Sequence, residues 1–256
     1  MKAVGFTTFG GPEVMRVLEL PQPDPGPGQV RIKVVAADVN PSDLMIRSGL
    51  AHEILPLAEV NVVGSDAAGV VDAVGEGVRP DLVVGTEVIA LLRPQRNQGA
   101  QAEYVVAPAE SVVRAPAGAT LVEASTLLMN ALTARMSLET VNLEPGATVA
   151  IIGAAGAVGG YAVQLARADG LTVIADAADR DHDHDLVAGL GADHIVARGT
   201  GFADHVRRIR PEGADGVIDA ALLDDAVEPA VRDGGTIAGL RGALQGHRDT
   251  TERGVR

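Results

Sequence analysis

Thr148-Val-Ala-Ile-Ile-Gly-Ala-Ala-Gly-Ala-Val-Gly-Gly160 decides the fold: a short, mostly apolar run enters a glycine-rich turn, and a helix-length segment to Asp169 follows, carrying Val163, Leu165 and Ala166. Where a strand becomes a helix through such a turn, the first backbone N–H groups of the helix are bare and the helix dipole is positive, which suits a dinucleotide diphosphate. Gly156 lets the backbone come close to a phosphate, and Gly159 lets the helix come close to the strand. Among 31 glycines the string alone is a weak signal. Its weight comes from its place, at the first strand-to-helix turn of an alternating half. The competing explanation is a tight turn chosen only for packing.

Downstream the alternation continues. Strands are expected at Leu171–Ala175, Asp193–Val196, Asp215–Asp219 and Thr236–Leu240, and helix-length segments at Asp183–Leu190, Phe202–Ile209 and Leu222–Val231. Apolar strands separated by helices predict a parallel, doubly wound α/β sheet. Upstream, Thr120–Val141 reads as a long helical stretch broken near Asn130. Before it the chain reads as short strands punctuated by Gly and Pro: Lys2–Thr8, Val14–Leu20, Val30–Ala37, Ala68–Val74, Glu87–Leu92, Ala102–Ala107 and Ser111–Arg114. A short helix is expected within Asn40–Gly49, with Asn40 as cap, Pro41 at its first position and Gly49 as stop. Two domains follow, 1–118 and 119–256.

Asp176 lies 20 residues past Gly156, where a carboxylate at the end of the second strand accepts the adenosine ribose hydroxyls and repels a 2′-phosphate. Asp176, Asp179, Asp181, Asp183 and Asp185 face only Arg180, which is able to stack on adenine or fork onto a phosphate. From these residues alone NADH is preferred. The competing explanation for the Asp/His run is a solvated helix start whose acids suit the dipole.

Composition narrows the function. With 34 acidic against 21 basic residues the net charge is −13, which disfavours nucleic acid and anionic membrane as partners. The absence of Cys removes disulfides, thiolate zinc sites and thiol nucleophiles. His182 and His184 do not share a helical face, so a metal site there is not expected. No apolar window approaches the ~18 residues of a membrane helix, and no signal-peptide core follows Met1, so a cytoplasmic location is expected.

Ala36-Ala-Asp-Val-Asn-Pro-Ser-Asp43, Gly64-Ser-Asp-Ala-Ala-Gly-Val-Val-Asp-Ala-Val-Gly-Glu-Gly77, Gly85-Thr-Glu-Val-Ile-Ala-Leu91, Ala102-Glu-Tyr-Val-Val106, Leu132-Thr-Ala134 and the glycine turn occur in the order found in the medium-chain dehydrogenase/reductase superfamily. Over residues 1–240 the chain resembles its zinc-free quinone oxidoreductase and enone reductase branch. Zinc-dependent members place Cys where Asn40 stands and His-Glu where Ser65-Asp66 stand. The resemblance implies a GroES-like β-rich N-terminal domain beside a Rossmann domain and a nicotinamide cofactor in the cleft. It further implies hydride delivery to a quinone or α,β-unsaturated carbonyl without zinc.

It places Asn40 and Thr133 at the nicotinamide end, with Asn40 as donor to the developing enolate oxygen, and Ala154, Ala155, Gly156, Ala157, Val158 and Gly159 at the pyrophosphate. NADPH is named first on the resemblance, with NADH as the alternative. Expected partners are a small-molecule quinone or enone and, as an option, a second copy in a homodimer. Relatives continue past Thr236–Leu240 into a sixth strand and a returning segment that are absent here. That strand is therefore expected at an edge, and stability is expected to suffer. The alternative function is a truncated, inactive relative that binds nucleotide or a partner chain.

Overall fold

In the computed structural model, which describes residues 1–178 and 181–240, the chain divides into two compact units, Met1–Met129 and a second beginning at Asn130. The division falls later than 118/119. The short helix α2 (Leu121–Ala124) stays with the first unit because Ala124 packs on Ala68 and Ile89 of its sheet.

The first unit is β-rich. Strands β1 (Lys2–Phe6), β2 (Arg16–Glu19), β3 (Gln29–Ala37), β4 (Asn61–Val62), β5 (Asp66–Val74), β6 (Glu87–Leu91), β7 (Tyr104–Pro108) and β8 (Val112–Arg114) form two antiparallel sheets, ordered β2-β1-β4 and β7-β3-β5-β6-β8. Val30, Ile32, Val71, Val88 and Ala107 fill the core against the larger sheet. The run Val14–Leu20 is only partly extended, because Pro12–Val14 forms a 3₁₀ turn before β2. Helix α1 spans Pro41–Ser48, and Gly49 stops it in the left-handed region at φ 84°.

The second unit is the expected doubly wound sheet. Strands β9 (Thr148–Ile152), β10 (Thr172–Ala177), β11 (His194–Ala197), β12 (Ala214–Asp219) and β13 (Val231–Gly239) are parallel in the order β11-β10-β9-β12-β13. Helices α3 (Leu128–Val141), α4 (Ala157–Ala168), α5 (Asp181–Gly189) and α6 (Phe202–Ile209) cover it. Because side chains alternate across a strand, Val149 and Ile151 pack on one face with Leu138, Ala162 and Val163, while Ala150 and Ile152 pack on the other with Phe202 and Val206. Every residue of β9 is buried, so a strand that is apolar from Val149 to Ile152 is a consequence of double coverage.

Three expectations need correction. The helix break lies at residues 125–127, with Ser125 in α2's cap, rather than near Asn130. Leu222–Val231 is not an α-helix. Leu222 and Asp224 take positive φ (61° and 52°), and Asp224–Ala230 is a 3₁₀ segment containing Pro229, whose missing N–H and fixed φ oppose an α-helix. The last strand begins at Val231, earlier than Thr236, and borders the sheet among the described residues. No described helix is long and apolar enough to cross a membrane.

Candidate functional site

The glycine turn is built by contacts that only glycine allows. Gly153 has φ 86°, and a Cβ on it would meet the Ala220 carbonyl carbon at 2.8 Å. A Cβ on Gly159 would lie 2.2 Å from the Gly153 oxygen, so α4 packs directly on the turn. At Gly156 the same test finds only the Gly153 oxygen, at 3.1 Å. Gly156 and Ala157 are exposed. The amides at Ala157, Val158 and Gly159, which open α4, have no backbone partner among the described residues, whereas Gly160 N–H already donates to Gly156. Ala155 is half-buried at the same bend.

Two expected roles change here. The Ala154 amide does not face outward. It donates to Asp176 Oδ1 at 2.9 Å, beside the Gly153 amide at 2.8 Å, and Ala154 is fully buried. Asp176 is itself 0% exposed, and its carboxylate takes the Arg198 guanidinium as well, Nε to Oδ2 at 2.6 Å and Nη2 to Oδ1 at 3.3 Å. It is therefore a clamp under the turn and not a free ribose acceptor. The hydrogen bond to Asp176 raises the Arg198 pKa above its usual value. Arg180, and Asp179 beside it, lie outside the described residues. Thr133 sits half-buried on α3, and its backbone oxygen accepts the Ser137 hydroxyl at 2.8 Å.

In the first unit Asn40 is buried ahead of α1, and its N–H donates to Asp43 at 2.8 Å. The other Asp43 oxygen accepts the Gly64 amide at 2.8 Å, which ties α1 to the segment leading into β5. Asn40 Nδ2 donates to Asp38 at 3.0 Å and to Asp66 at 3.3 Å. Its two amide hydrogens thus rest on carboxylates, a correction to the expected donor toward a substrate oxygen. Burial, then the nearby charge of Asp66, pushes Asp38 up to about 7. Asp66 is also raised by burial, but the Met129 amide at 3.0 Å and Asn40 stabilise its ionised form. Of the two, Asp38 is the carboxyl that keeps its proton to the higher pH, up to about 7.

Sequence reasoning singled out neither Asp38 nor Arg198. Asp38 stands in the same motif as Asn40, and that neighbourhood is the signal by which it could have been found. Arg198 had no local signal, since it meets Asp176 from just past the end of the neighbouring strand. A separate cavity of about 790 Å³ in the first unit, lined by Phe9, Ile46, Leu57, Arg93 and Arg96 among others, includes none of the expected site residues.

Two family models match the chain. The alcohol dehydrogenase GroES-like domain covers residues 26–117 and the zinc-binding dehydrogenase domain covers 157–246. The chain belongs to the medium-chain dehydrogenase/reductase superfamily. Within that superfamily it is 37% identical over 224 residues to the human synaptic vesicle membrane protein VAT-1 homolog, covering 86% of this chain and 55% of that protein. It is 34% identical to the chloroplastic quinone-oxidoreductase QR1 of Triphysaria versicolor, covering 77% of this chain and 60% of the relative. A mycobacterial protein solved in complex with NADPH superposes with a TM-score of 0.79 at 32% identity, covering 93% of this chain and 73% of the other. The chain spans about half the length of the first of these curated relatives.

Proposed function

We propose that this chain is an NAD(P)H-dependent, zinc-independent oxidoreductase that reduces a quinone or an α,β-unsaturated carbonyl. The observation that carries the reading is the strand-to-helix turn, with unpartnered amides at Ala157, Val158 and Gly159 beside the exposed Gly156. Such a turn fits a diphosphate, because the donors converge at the positive end of a helix and no side chain fills the space a Cβ at Gly156 would take up. The residues assigned to the dinucleotide are Ala155, Gly156, Ala157, Val158 and Gly159, with Thr133 placed toward the nicotinamide on the family resemblance. The quinone-oxidoreductase relative and the NADPH complex of the mycobacterial relative support the substrate class and the cofactor, NADPH first and NADH second.

When bound, the dinucleotide supplies a hydride from its nicotinamide. The chain's own contribution is to hold the diphosphate, to orient the reactants and to exclude water. Asn40 donates to both Asp38 and Asp66, while burial and the charge of Asp66 raise Asp38 to about 7, so that this carboxyl exchanges its proton near neutral pH. Zinc independence is supported by the lack of Cys, which removes the thiolates of the usual zinc sets. The same lack of Cys fits work in a reducing cytoplasm.

The test mixes the purified chain with NADPH or NADH and a panel containing a benzoquinone and an alkenal, and follows the nicotinamide absorbance. Consumption of reduced cofactor that depends on the acceptor is expected. Nucleotide binding without consumption would replace this reading by that of a binding protein.

A further inference from the structure

The cavity of about 790 Å³ in the first unit has the size of a small-molecule site, and it is lined from α1, from β4 and from two loops, 54–60 and 93–97. Its apolar wall is open to water, with Ile54 50% and Leu57 44% exposed. Asn61 shapes that wall, because its Oδ1 accepts the Ala58 amide at 3.0 Å and its Nδ2 donates to the Ala58 and Phe6 carbonyls at 2.9 and 3.3 Å. The loop 93–97 adds two exposed guanidinium groups, those of Arg93 and Arg96. With 34 acidic residues against 21 basic ones, a cation in this chain readily finds a carboxylate, as Arg31, Arg79, Arg135 and Arg167 do. Among the described residues neither the Arg93 nor the Arg96 guanidinium has a hydrogen-bond or ion-pair partner.

Arg96 also stands where the backbone favours glycine. Gln95 and Gln98 exchange both backbone hydrogen bonds, at 2.8 and 2.9 Å, so Arg96 and Asn97 form the two-residue tip of a hairpin. Arg96 takes φ 53° at the first tip position, a conformation that glycine adopts without strain and arginine does not. Its carbonyl accepts the Val62 amide at 2.7 Å, which anchors the tip on β4. Glu59 lines the same cavity, so two cations stand against one acid and an excess of one positive charge is left.

We infer that this cavity binds a small aliphatic monocarboxylate, its anionic head on Arg93 and Arg96 and its hydrocarbon chain on Ile54 and Leu57. A guanidinium fork matches a carboxylate, and a single excess charge suits a monoanion better than a phosphate dianion. The exposed aliphatic wall gives the hydrocarbon a surface to cover. The inference stands apart from the dinucleotide reading, because every residue that lines the cavity belongs to the first unit.

Calorimetric titration of the full chain with octanoate, 1-octanol and acetate at neutral pH tests this without any turnover. Octanoate is expected to bind at least ~10-fold more tightly than the uncharged alcohol, and at least ~10-fold more tightly than acetate, which lacks the apolar chain. Arg96→Gly removes the guanidinium from a backbone position that suits glycine, so the melting temperature should change little while octanoate affinity falls at least ~5-fold. Arg93→Gln should act in the same direction, and Arg96→Lys, which keeps both the charge and the strain, should retain part of the affinity. Octanoate that binds no more tightly than octanol, or that binds Arg93→Gln and Arg96→Gly as tightly as the parent, overturns the inference. So does a parent that binds none of the three probes at millimolar concentration. The dinucleotide reading survives each of those results.

Discussion

Asp176 and Asp38 are the same residue type at the ends of neighbouring-strand structures in different units, and they carry opposite chemistry. Asp176 accepts two backbone amides and an arginine, so donors meet both of its oxygens, and it is completely buried. Asp38 meets another carboxylate and an amide, and burial together with Asp66 pushes it up to about 7. Both carboxylates are removed from water, but donors meet the oxygens of Asp176 whereas a second acid faces Asp38. The first arrangement makes a rigid clamp beneath the glycine turn, whereas the second makes a place where a proton is held.

The largest expected effect breaks the clamp. Asp176→Ala leaves the Gly153 and Ala154 amides buried without an acceptor and Arg198 without its anion, and should remove about 3–5 kcal/mol of unfolding free energy in urea titrations. A loss below ~1 kcal/mol would mean that the turn does not depend on the carboxylate.

Next comes the turn that the clamp supports. Gly159→Ala forces a Cβ against the Gly153 oxygen and should lose about 1–3 kcal/mol. Gly156→Val should behave differently, folding with little change yet losing nucleotide affinity, since little but the Gly153 oxygen stands in its way. Equal destabilisation by the two would show that the turn has no face open to a ligand.

The other carboxylate is tested by pH. The Asp38 pKa is raised from 3.8 to about 7, so its contribution to stability is fully present below about 4 and is lost as pH rises through about 7. Asp38→Asn cannot titrate. Its stability relative to the parent should therefore shift in the variant's favour between about pH 4 and about pH 8, as followed by urea melts across that range. A difference that stays flat with pH would place the proton elsewhere.

The smallest effect belongs to an aspartate that is paired but solvated. Asp24 bonds to Arg31 at 2.9 Å, but its side chain is 92% exposed. Asp24→Ala should change stability by less than ~0.5 kcal/mol in the same urea assay. A larger change would show that exposure matters less than the contrast between Asp176 and Asp38 implies.

Much of this architecture is visible in the sequence wherever a local pattern is the cause. Thr148–Ile152 and Phe202–Ile209 lie where their apolar runs place them, because burial on two faces and an amphipathic face are both written into neighbouring residues. Leu222–Val231 misleads because apolar spacing is outweighed by Pro229 and by two residues in the left-handed region. The glycine turn is readable for the same local reason, since Gly153 and Gly159 are required by contacts a few residues away. The pairing of Asp176 is not, since Arg198 lies 22 positions away, just past the end of the next strand, and a spacing rule for ribose carboxylates cannot see it. Asn40 shows the same limit. Its position in a motif suggests a donor, while the direction of that donor is fixed by Asp66, 26 positions away.

The central claim is that the bare amides opening α4 receive the diphosphate of a nicotinamide dinucleotide. Following backbone amide resonances during NADPH addition tests it residue by residue. The account predicts large, saturable shifts at Ala155, Ala157, Val158 and Gly159, with Ala154 moving little because its amide already rests on Asp176. NADPH binding that leaves those four resonances in place would contradict it.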